Sequence, residues 1–236
     1  MLAALLELAP GGVEQVDGEG FVEYALYGAP AELPAFPEGD AEVGGTRVSV
    51  RGERVAEDWA ERWKRFHEPV LVGGRLWVRP PWADPSPTVP QALGWSERAR
   101  TDLLDLVIDP GQAFGTGSHP TTRLSLELLL ALEPAGSLAD LGCGSGVLAI
   151  AAARLGFGPV LAVDRETAAL EATRANAAAN AVALEGVARL DLRRRPPPVA
   201  RTVAANLVRP LLLRVAELIE EPPEALIVSG LLEEEA

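Results

Sequence analysis

A glycine-rich stretch in the second half of the chain limits the possible folds more than any other segment. Three glycines, Gly142, Gly144 and Gly146, occur at alternate positions. An apolar run over 137–141 precedes them, and a helical pattern over 147–155 follows. Glycine adopts positive φ readily and has no side chain, so a ligand can approach the main chain closely at such a turn. The segment therefore predicts a strand, a ligand-binding turn, and a helix whose first N–H groups are free to bind a ligand.

The glycine spacing distinguishes two classes of cofactor. A dinucleotide fingerprint requires G-x-G-x-x-G, but Val147 occupies the position of the third glycine. The spacing found is G-x-G-x-G with Asp140 in front, which favours S-adenosylmethionine over NAD. Asp164 ends a second apolar run 22 positions after Gly142, where a carboxylate could accept hydrogen bonds from both hydroxyls of a ribose. The alternative is a structural glycine loop followed by a surface aspartate.

Composition narrows the class of protein and of partner. The chain has 236 residues, of which 48% are hydrophobic and 23% charged, so it can form one large globular core and a smaller domain. Its 34 acidic and 21 basic residues give a net charge of −13, which disfavours direct nucleic-acid binding and favours a basic protein partner. The basic run Arg193–Arg195 precedes three prolines and predicts an exposed loop.

Cysteine content and the amino terminus bear on the cellular compartment. Cys143 is the only cysteine, so no internal disulfide can form and a cytoplasmic location is expected. Its position inside the glycine turn favours a small packed side chain over a reactive thiol. The apolar opening over 1–6 meets Glu7 and is far shorter than the roughly 20 residues that span a bilayer, so it predicts a short helix and no membrane association.

The first half of the chain predicts a small α+β unit and a linker. A helix is expected over 2–8, followed by strands over 13–16, 21–27 and 46–50, the first two joined by a hairpin turn. Val55, Trp59, Trp63 and Phe66 recur at helical spacing and predict an amphipathic helix. The stretch over 80–90 has five prolines and predicts a linker. Three parts are predicted. They are an α+β domain (1–54), a linker helix with a Pro-rich linker (55–95) and an α/β domain (96–236).

Strands and helices alternate in the second half. Strands are predicted over 103–108, 138–141, 160–164, 187–192, 202–206 and 225–229. Helices are predicted over 121–132, 147–155, 167–179 and 211–219. This alternation predicts an α/β fold with a parallel sheet that helices cover on both faces. Ligands bind such folds at the carboxyl ends of the strands, where Asp140, Asp164 and Asn206 are expected.

A second motif, over 109–122, is rich in glycine and hydroxyl side chains and leads into a predicted helix. A loop of this composition can fold over a ligand. Phe114 either stacks on an adenine or belongs to the core. Thr121 or Thr122 is expected to cap the helix, and His119 by itself predicts an ordinary loop histidine.

These motifs together resemble the PrmA family of methyltransferases. The resemblance rests on 109–122, on 140–156, on the pair Asn176 and Asn180, and on Ala205-Asn206-Leu207. It extends into the first half through Glu57-Asp58-Trp59, and so covers nearly the whole chain. Members of this family methylate ribosomal protein eleven of the large subunit.

The resemblance implies a Rossmann-like methyltransferase domain preceded by a ferredoxin-like domain that recognises the protein substrate. It also implies S-adenosylmethionine as methyl donor and, as acceptors, lysine side chains, the N-terminal α-amine, or both. The cofactor positions that carry over are Phe114, Thr122, Gly142, Gly144, Asp164 and Asn206. Asn206 is the catalytic candidate, because its side-chain carbonyl can orient an incoming amine for direct displacement. No metal site is expected. The alternatives are a different acceptor and a non-catalytic cofactor-binding module.

The chain also departs from the family pattern. It begins at the predicted first helix, without the opening strand of the small domain, and stops shortly after Gly230, before a final helix and strand pair. An uncovered sheet edge is therefore expected.

Overall fold

The computed structural model describes residues 14–18, 21–25, 39–43, 45–51, 67–85, 103–110 and 119–231. The chain divides into two units, Met1–Ala60 and Glu61–Ala236. The helices predicted over 2–8 and 55–66 lie outside the described residues, as does Phe114. The three-part division of the chain stays a prediction.

The described part of the first unit consists of two antiparallel hairpins. Strand β1 (Glu14–Gly18) pairs with β2 (Phe21–Ala25), which agrees with the predicted hairpin. Strand β3 (Gly39–Val43), which the sequence analysis missed, pairs with β4 (Thr46–Val50) around a turn in which Gly45 has a φ of +77°. The two hairpins are separate two-stranded sheets, and the ferredoxin-like arrangement stays a prediction.

The second unit begins with a three-stranded sheet. Strands β5 (Val70–Val72) and β6 (Leu76–Arg79) form a hairpin, and β7 (Leu104–Val107) pairs parallel to β6. The turn between β5 and β6 contains Gly73 and Gly74, whose φ angles of +54° and +66° suit glycine.

This small sheet corrects the sequence analysis in two respects. The hairpin lies in the stretch assigned to the linker, where strands of three and four residues are too short to show a clear period. Strand β7 was expected in the main parallel sheet, but it pairs with β6 instead. Leu76, Val78 and Leu106 are fully buried in the main core, so burial of these apolar side chains accounts for the pairing.

The main sheet has five parallel strands in the order β10-β9-β8-β11-β12. They are β8 (Leu138–Leu141), β9 (Val160–Asp164), β10 (Gly186–Arg189), β11 (Thr202–Asn206) and β12 (Ala225–Ser229). After β8 the chain adds β9 and β10 on one side, and then returns to the other side with β11. Such a reversal leaves a crevice at the carboxyl ends of the central strands, next to β8 and β11.

Four helices cover this sheet among the described residues. They are α1 (Pro120–Ala131), α2 (Val147–Leu155), α3 (Thr167–Ala179) and α4 (Arg209–Leu218). All four begin and end within two residues of their predicted limits. Proline lies in the first turn of α1 and α4, where its missing N–H costs no hydrogen bond, and Gly156 ends α2 with a φ of +104°. None of the described helices is long and apolar enough to cross a membrane.

The helices pack on both faces of the sheet, as predicted. Side chains of α1, α2 and α3, including Leu126, Ile150 and Leu170, share one core with β8, β9, β11, β12 and the small sheet. On the opposite face, Val215 of α4 packs in a second core with Leu141 and other side chains of the central strands. The predicted Rossmann-like α/β fold is therefore confirmed.

An ion pair joins β6 to β7 and leads to a first prediction. Arg79 donates from Nε and Nη2 to the two carboxylate oxygens of Asp105, both at 2.8 Å, and their side chains are 11% and 36% exposed. Because the pair is bidentate and partly buried, we expect Arg79→Ala to lower the free energy of unfolding by about 2 kcal/mol. The control is Arg201→Ala, whose pair with Glu224 has side chains 49% and 67% exposed and should contribute less than about 0.5 kcal/mol. Urea unfolding measures both, and equal effects would contradict the prediction.

Candidate functional site

The glycine turn lies at the carboxyl end of β8 and is tied to β9. Gly142 and Cys143 donate their N–H groups to the carbonyl oxygen of Val163, at 2.8 and 3.0 Å. Gly142 and Gly144 are partly exposed and have φ angles of +73° and +53°, whereas Cys143 and Ser145 are buried. At the carboxyl end of β8 the surface is therefore formed by glycine main chain, as the spacing predicted.

Packing reinforces the need for glycine in this turn. A Cβ at Gly142 would lie 2.4 Å from Cδ2 of Leu207, and one at Gly146 would lie 2.8 Å from Cγ2 of Thr173.

Burial raises the pKa of the Cys143 thiol to about 12, so this cysteine is protonated and unreactive at neutral pH. It serves as the small packed side chain that its position predicted.

Asp164 ends β9 beside the turn, and main-chain N–H groups orient its carboxylate. Oδ2 accepts from the N–H of Gly144 at 3.1 Å, and Oδ1 accepts from the N–H of Glu166 at 3.0 Å. A carboxylate oxygen has about two lone-pair sites, so each oxygen can accept a further hydrogen bond. The partly exposed side chain is thus held in one direction with acceptor capacity to spare.

Asn206 ends β11 and contacts the first turn of α1. Its Nδ2 donates to the hydroxyl oxygen of Thr122 at 3.3 Å, and Thr122 is only 1% exposed. Within the described part of the chain, the Thr122 hydroxyl thus accepts a hydrogen bond from Asn206, and a direct contact with a cofactor stays a prediction. With Nδ2 engaged in this bond, Oδ1 is the acceptor atom of the carboxamide.

Two oxygen atoms converge next to Gly230, which follows β12. A Cβ built at Gly230 would lie 2.6 Å from the carbonyl oxygen of Leu207 and 3.1 Å from Oδ1 of Asn206. Gly230 has a φ of +90°, and a side chain at this position would clash with the main chain of Leu207. Both oxygens therefore lie close to Gly230, at the carboxyl ends of β11 and β12.

The structure thus brings five of the six predicted cofactor residues to one end of the sheet. Gly142, Gly144 and Asp164 lie on the β8–β9 side, whereas Thr122 and Asn206 lie on the β11 side. The close approach of Gly142 to Leu207 joins the two groups. A family model described as ribosomal protein L11 methyltransferase (PrmA) matches residues 35–236. The chain belongs to the PrmA family.

Similar proteins agree with this membership. The ribosomal protein L11 methyltransferase of Bordetella parapertussis is 40% identical over 236 residues, which cover 98% of this chain and 71% of that protein. The protein of the same name from Pelotomaculum thermopropionicum is 40% identical over 185 residues, which cover 76% of this chain and 56% of that protein. The chain therefore spans between about half and seven-tenths of the length of these curated relatives.

A solved structure is also similar. The ribosomal protein L11 methylase of Lactobacillus delbrueckii subsp. bulgaricus is 27% identical, with a TM-score of 0.57. The match covers 70% of this chain and 81% of that one. The resemblance to PrmA methyltransferases inferred from the motifs is therefore confirmed.

Asp140 has a role in this PrmA chain that the sequence analysis did not assign. It is 1% exposed, and its Oδ2 accepts from the N–H of Ala149 at 3.1 Å. Ala149 is the third residue of α2, and Gly146, which precedes the helix, has no side chain to accept this bond. Asp140 therefore caps α2 from the neighbouring strand. Burial, which has the largest effect, and the charge of Asp164 together raise the pKa of its carboxyl to about 7, although the hydrogen bond from Ala149 lowers it.

The raised pKa of Asp140 predicts a pH-dependent stability. The folded chain keeps this proton up to about pH 7, whereas the ordinary pKa is 3.8, so between these values the folded state binds more protons than the unfolded state. The free energy of unfolding should therefore fall as pH rises through this window. Asp140→Asn removes the titration and keeps an acceptor for Ala149. We expect the free energy of unfolding of Asp140→Asn, relative to that of wild type, to increase by as much as about 4 kcal/mol from pH 4 to pH 7.

Urea unfolding at several pH values checks this expectation. The control is Leu213→Ala, which shortens an exposed side chain on α4 and changes no titratable group. Its difference from wild type should stay nearly constant across the same window. If the Asp140→Asn curve ran parallel to the wild-type curve, the carboxyl of Asp140 would titrate alike in the folded and unfolded chains.

The cap of α1 corrects another expectation. Thr121 or Thr122 was expected to cap this helix, but the residue before its first turn is His119. The N–H of Thr121 donates to Nδ1 of His119 at 3.3 Å, and the Thr121 hydroxyl oxygen lies 2.8 Å from the same nitrogen. Burial lowers the pKa of His119, which favours the neutral ring whose Nδ1 can accept. The sequence pattern missed this cap because serine, threonine, aspartate and asparagine are the usual capping residues.

Other parts of the site carried little or no signal in the sequence. The acceptor at Leu207 is a main-chain carbonyl, which every residue has. Gly230 cannot be distinguished in the sequence from an ordinary turn glycine. Among the described residues, no group of three or more histidine, cysteine, aspartate or glutamate side chains is placed to hold a metal ion.

Proposed function

We propose that this chain transfers methyl groups from S-adenosylmethionine to amino groups of ribosomal protein L11. The acceptors are lysine side chains, the N-terminal α-amine, or both. The observation that carries the proposal is the position of Asn206 and Leu207 beside Gly230, at the same end of the sheet as the glycine turn, with Leu207 also close to Gly142. Family membership and the names of the similar proteins support this substrate.

The residues at the glycine turn suit adenosylmethionine. Asp164 has acceptor capacity for the two ribose hydroxyls, and its carboxylate is already oriented by Gly144 and Glu166. The partly exposed main chain at Gly142 and Gly144 leaves room for the amino-acid part of the cofactor. When bound, adenosylmethionine supplies a methyl group on a positively charged sulfur.

Asn206 is the residue that we assign to the acceptor amine. A neutral amine has one lone pair, and its N–H groups can donate to Oδ1 of Asn206 and to the carbonyl oxygen of Leu207. Two such bonds would fix the direction of the lone pair, which must point in line with the bond that breaks. Thr122 keeps the carboxamide in this orientation by accepting from Nδ2. Transfer then needs no covalent bond between enzyme and substrate.

The amine must be neutral when it reacts. A lysine side chain has a reference pKa near about 10.4 and an α-amine near about 8, so most acceptors arrive protonated. Burial of the amine at the sheet edge would lower its pKa and favour the reactive form. The chain's charge of −13 favours the approach of a basic protein, as a ribosomal substrate would be. We place the reaction in the cytoplasm, where this substrate occurs.

Mass spectrometry of purified ribosomal protein L11 tests the proposal. The protein is incubated with this chain and adenosylmethionine, and in parallel with this chain and adenosylhomocysteine, which has no methyl to transfer. We expect mass gains in steps of one methylene in the first reaction only, located by peptide sequencing at amines. Cofactor binding measured by calorimetry without any mass gain would favour another acceptor or a non-catalytic binding module. Absence of cofactor binding would overturn the proposal.

A further inference from the structure

Three buried polar side chains, two on α3 and one at the residue that caps its C-terminal end, bind main-chain groups. Thr173, Asn176 and Asn180 are 0%, 2% and 7% exposed, at a spacing of three and four residues. Each buried side-chain nitrogen and oxygen in the described part of the chain has a hydrogen-bond partner. Burying polar groups costs desolvation free energy, and the hydrogen bonds that offset this cost usually fix a particular geometry.

Two of these side chains bind consecutive carbonyls of the glycine turn. The Thr173 hydroxyl donates to the carbonyl oxygen of Gly144 at 3.0 Å, and Nδ2 of Asn176 donates to that of Ser145 at 2.9 Å. The N–H of Gly144 donates to Asp164 on the other side. The peptide groups around Gly144 are therefore held both from α3 and from the end of β9.

The two asparagines make matching contacts with the segment that contains β7. Asn176 accepts from the N–H of Asp109 at 2.9 Å and donates to its carbonyl oxygen at 3.2 Å. Asn180 does the same to Val107, at 2.8 and 2.6 Å. Their third bonds differ, because Asn176 reaches Ser145 whereas Asn180 reaches the carbonyl oxygen of Asn176, at 2.8 Å. Of the two asparagines, only Asn176 thus connects the β7 segment to the glycine turn.

We propose that Asn176 is a positioning residue for the cofactor site. It acts through the carbonyl of Ser145 and the main chain of Asp109, and it fixes the glycine turn in the shape that the cofactor requires. This inference rests on the proposed function, since it takes the glycine turn as the place where adenosylmethionine binds. A displacement of about 1 Å in such a turn is enough to weaken the binding of a closely fitted ligand.

Asn180 provides a matched control. Asn176→Ala and Asn180→Ala each remove one acceptor and two donated hydrogen bonds, at the last turn of α3 and at its C-cap, so their effects on stability should be similar. We expect Asn176→Ala to raise the dissociation constant of adenosylmethionine, measured by calorimetry, by about tenfold or more. We expect Asn180→Ala to change it by less than about threefold. Equal effects of the two variants on the dissociation constant would overturn the inference, since they would indicate a structural role alone.

Hydrogen exchange of the cofactor-free chain gives a second readout, independent of binding. The amides of Gly144, Ser145 and Gly146 should exchange faster in Asn176→Ala than in wild type. In Asn180→Ala they should exchange at the wild-type rate. If wild type failed to bind adenosylmethionine, the proposed function would fail, whereas this exchange pattern would still support the positioning of the turn. Equal exchange in both variants would overturn the inference.

A second substitution covers the case in which Asn176→Ala does not fold. Asn176→Asp keeps an acceptor for the N–H of Asp109 but places a carboxylate oxygen against the carbonyl oxygen of Ser145. We expect the same rise in the dissociation constant as for alanine. Wild-type affinity in this variant would overturn the inference.

Discussion

Replacing Asn206 with alanine is expected to lower kcat for methyl transfer by at least about 100-fold. The substitution removes the side-chain carbonyl that we assign to the acceptor amine, so the lone pair would no longer point at the methyl group. The dissociation constant of adenosylmethionine should change by at most about tenfold, the effect of losing one hydrogen bond. Steady-state kinetics on ribosomal protein L11 and calorimetry with the cofactor measure the two quantities separately.

Thr122→Val is the companion variant. It removes the hydroxyl that accepts from Nδ2 of Asn206 and keeps a side chain of similar shape at this fully buried position. If Thr122 acts through Asn206, the single variant should lower kcat by about tenfold, and the double variant should lose no more than Asn206→Ala alone. Wild-type kcat in Asn206→Ala would leave Asn206 as a strand-end partner of Thr122 and would refute its catalytic role.

Replacing Asp164 with alanine is expected to raise the dissociation constant of adenosylmethionine by about 100-fold or more. Hydrogen bonds to a charged group contribute about 1.5 to 3 kcal/mol each, and the carboxylate of Asp164 would bind two ribose hydroxyls. The substitution also removes the acceptor for the N–H of Gly144. Calorimetric titration of the purified chain with adenosylmethionine checks this value.

Asp191 provides the control for a general effect on the loop. It accepts from the N–H of the residue two positions later, Arg193, just as Asp164 accepts from Glu166. Asp191→Ala therefore removes an equivalent turn contact elsewhere on the chain, and we expect cofactor affinity to stay within about twofold of wild type. Similar losses in both variants would mean that Asp164 matters for the local turn and not for the ribose.

Much of the main sheet could be predicted because its signals are local. The strands β8, β9, β11 and β12 are apolar runs bounded by turn residues, and the helices between them have clear starts and ends. The short strands were harder to predict. Strands β5 and β6 have three and four residues, and they form because Val72, Leu76 and Val78 are buried by helices far along the chain. Periodicity over so few residues does not predict such partners.

The sequence alone predicted the glycine turn and the acid that ends the next strand. The conformations of Gly142, Gly144 and Gly146 depend on the residues' own backbones and near neighbours, so spacing was enough to predict them. The tertiary structure decided how Asn206 meets Thr122, 84 positions away, and how Gly230 packs against Asn206 and Leu207. These contacts follow from the order of the strands and the packing of α1 on β11 and β12, which join distant segments and leave no periodic mark in the sequence.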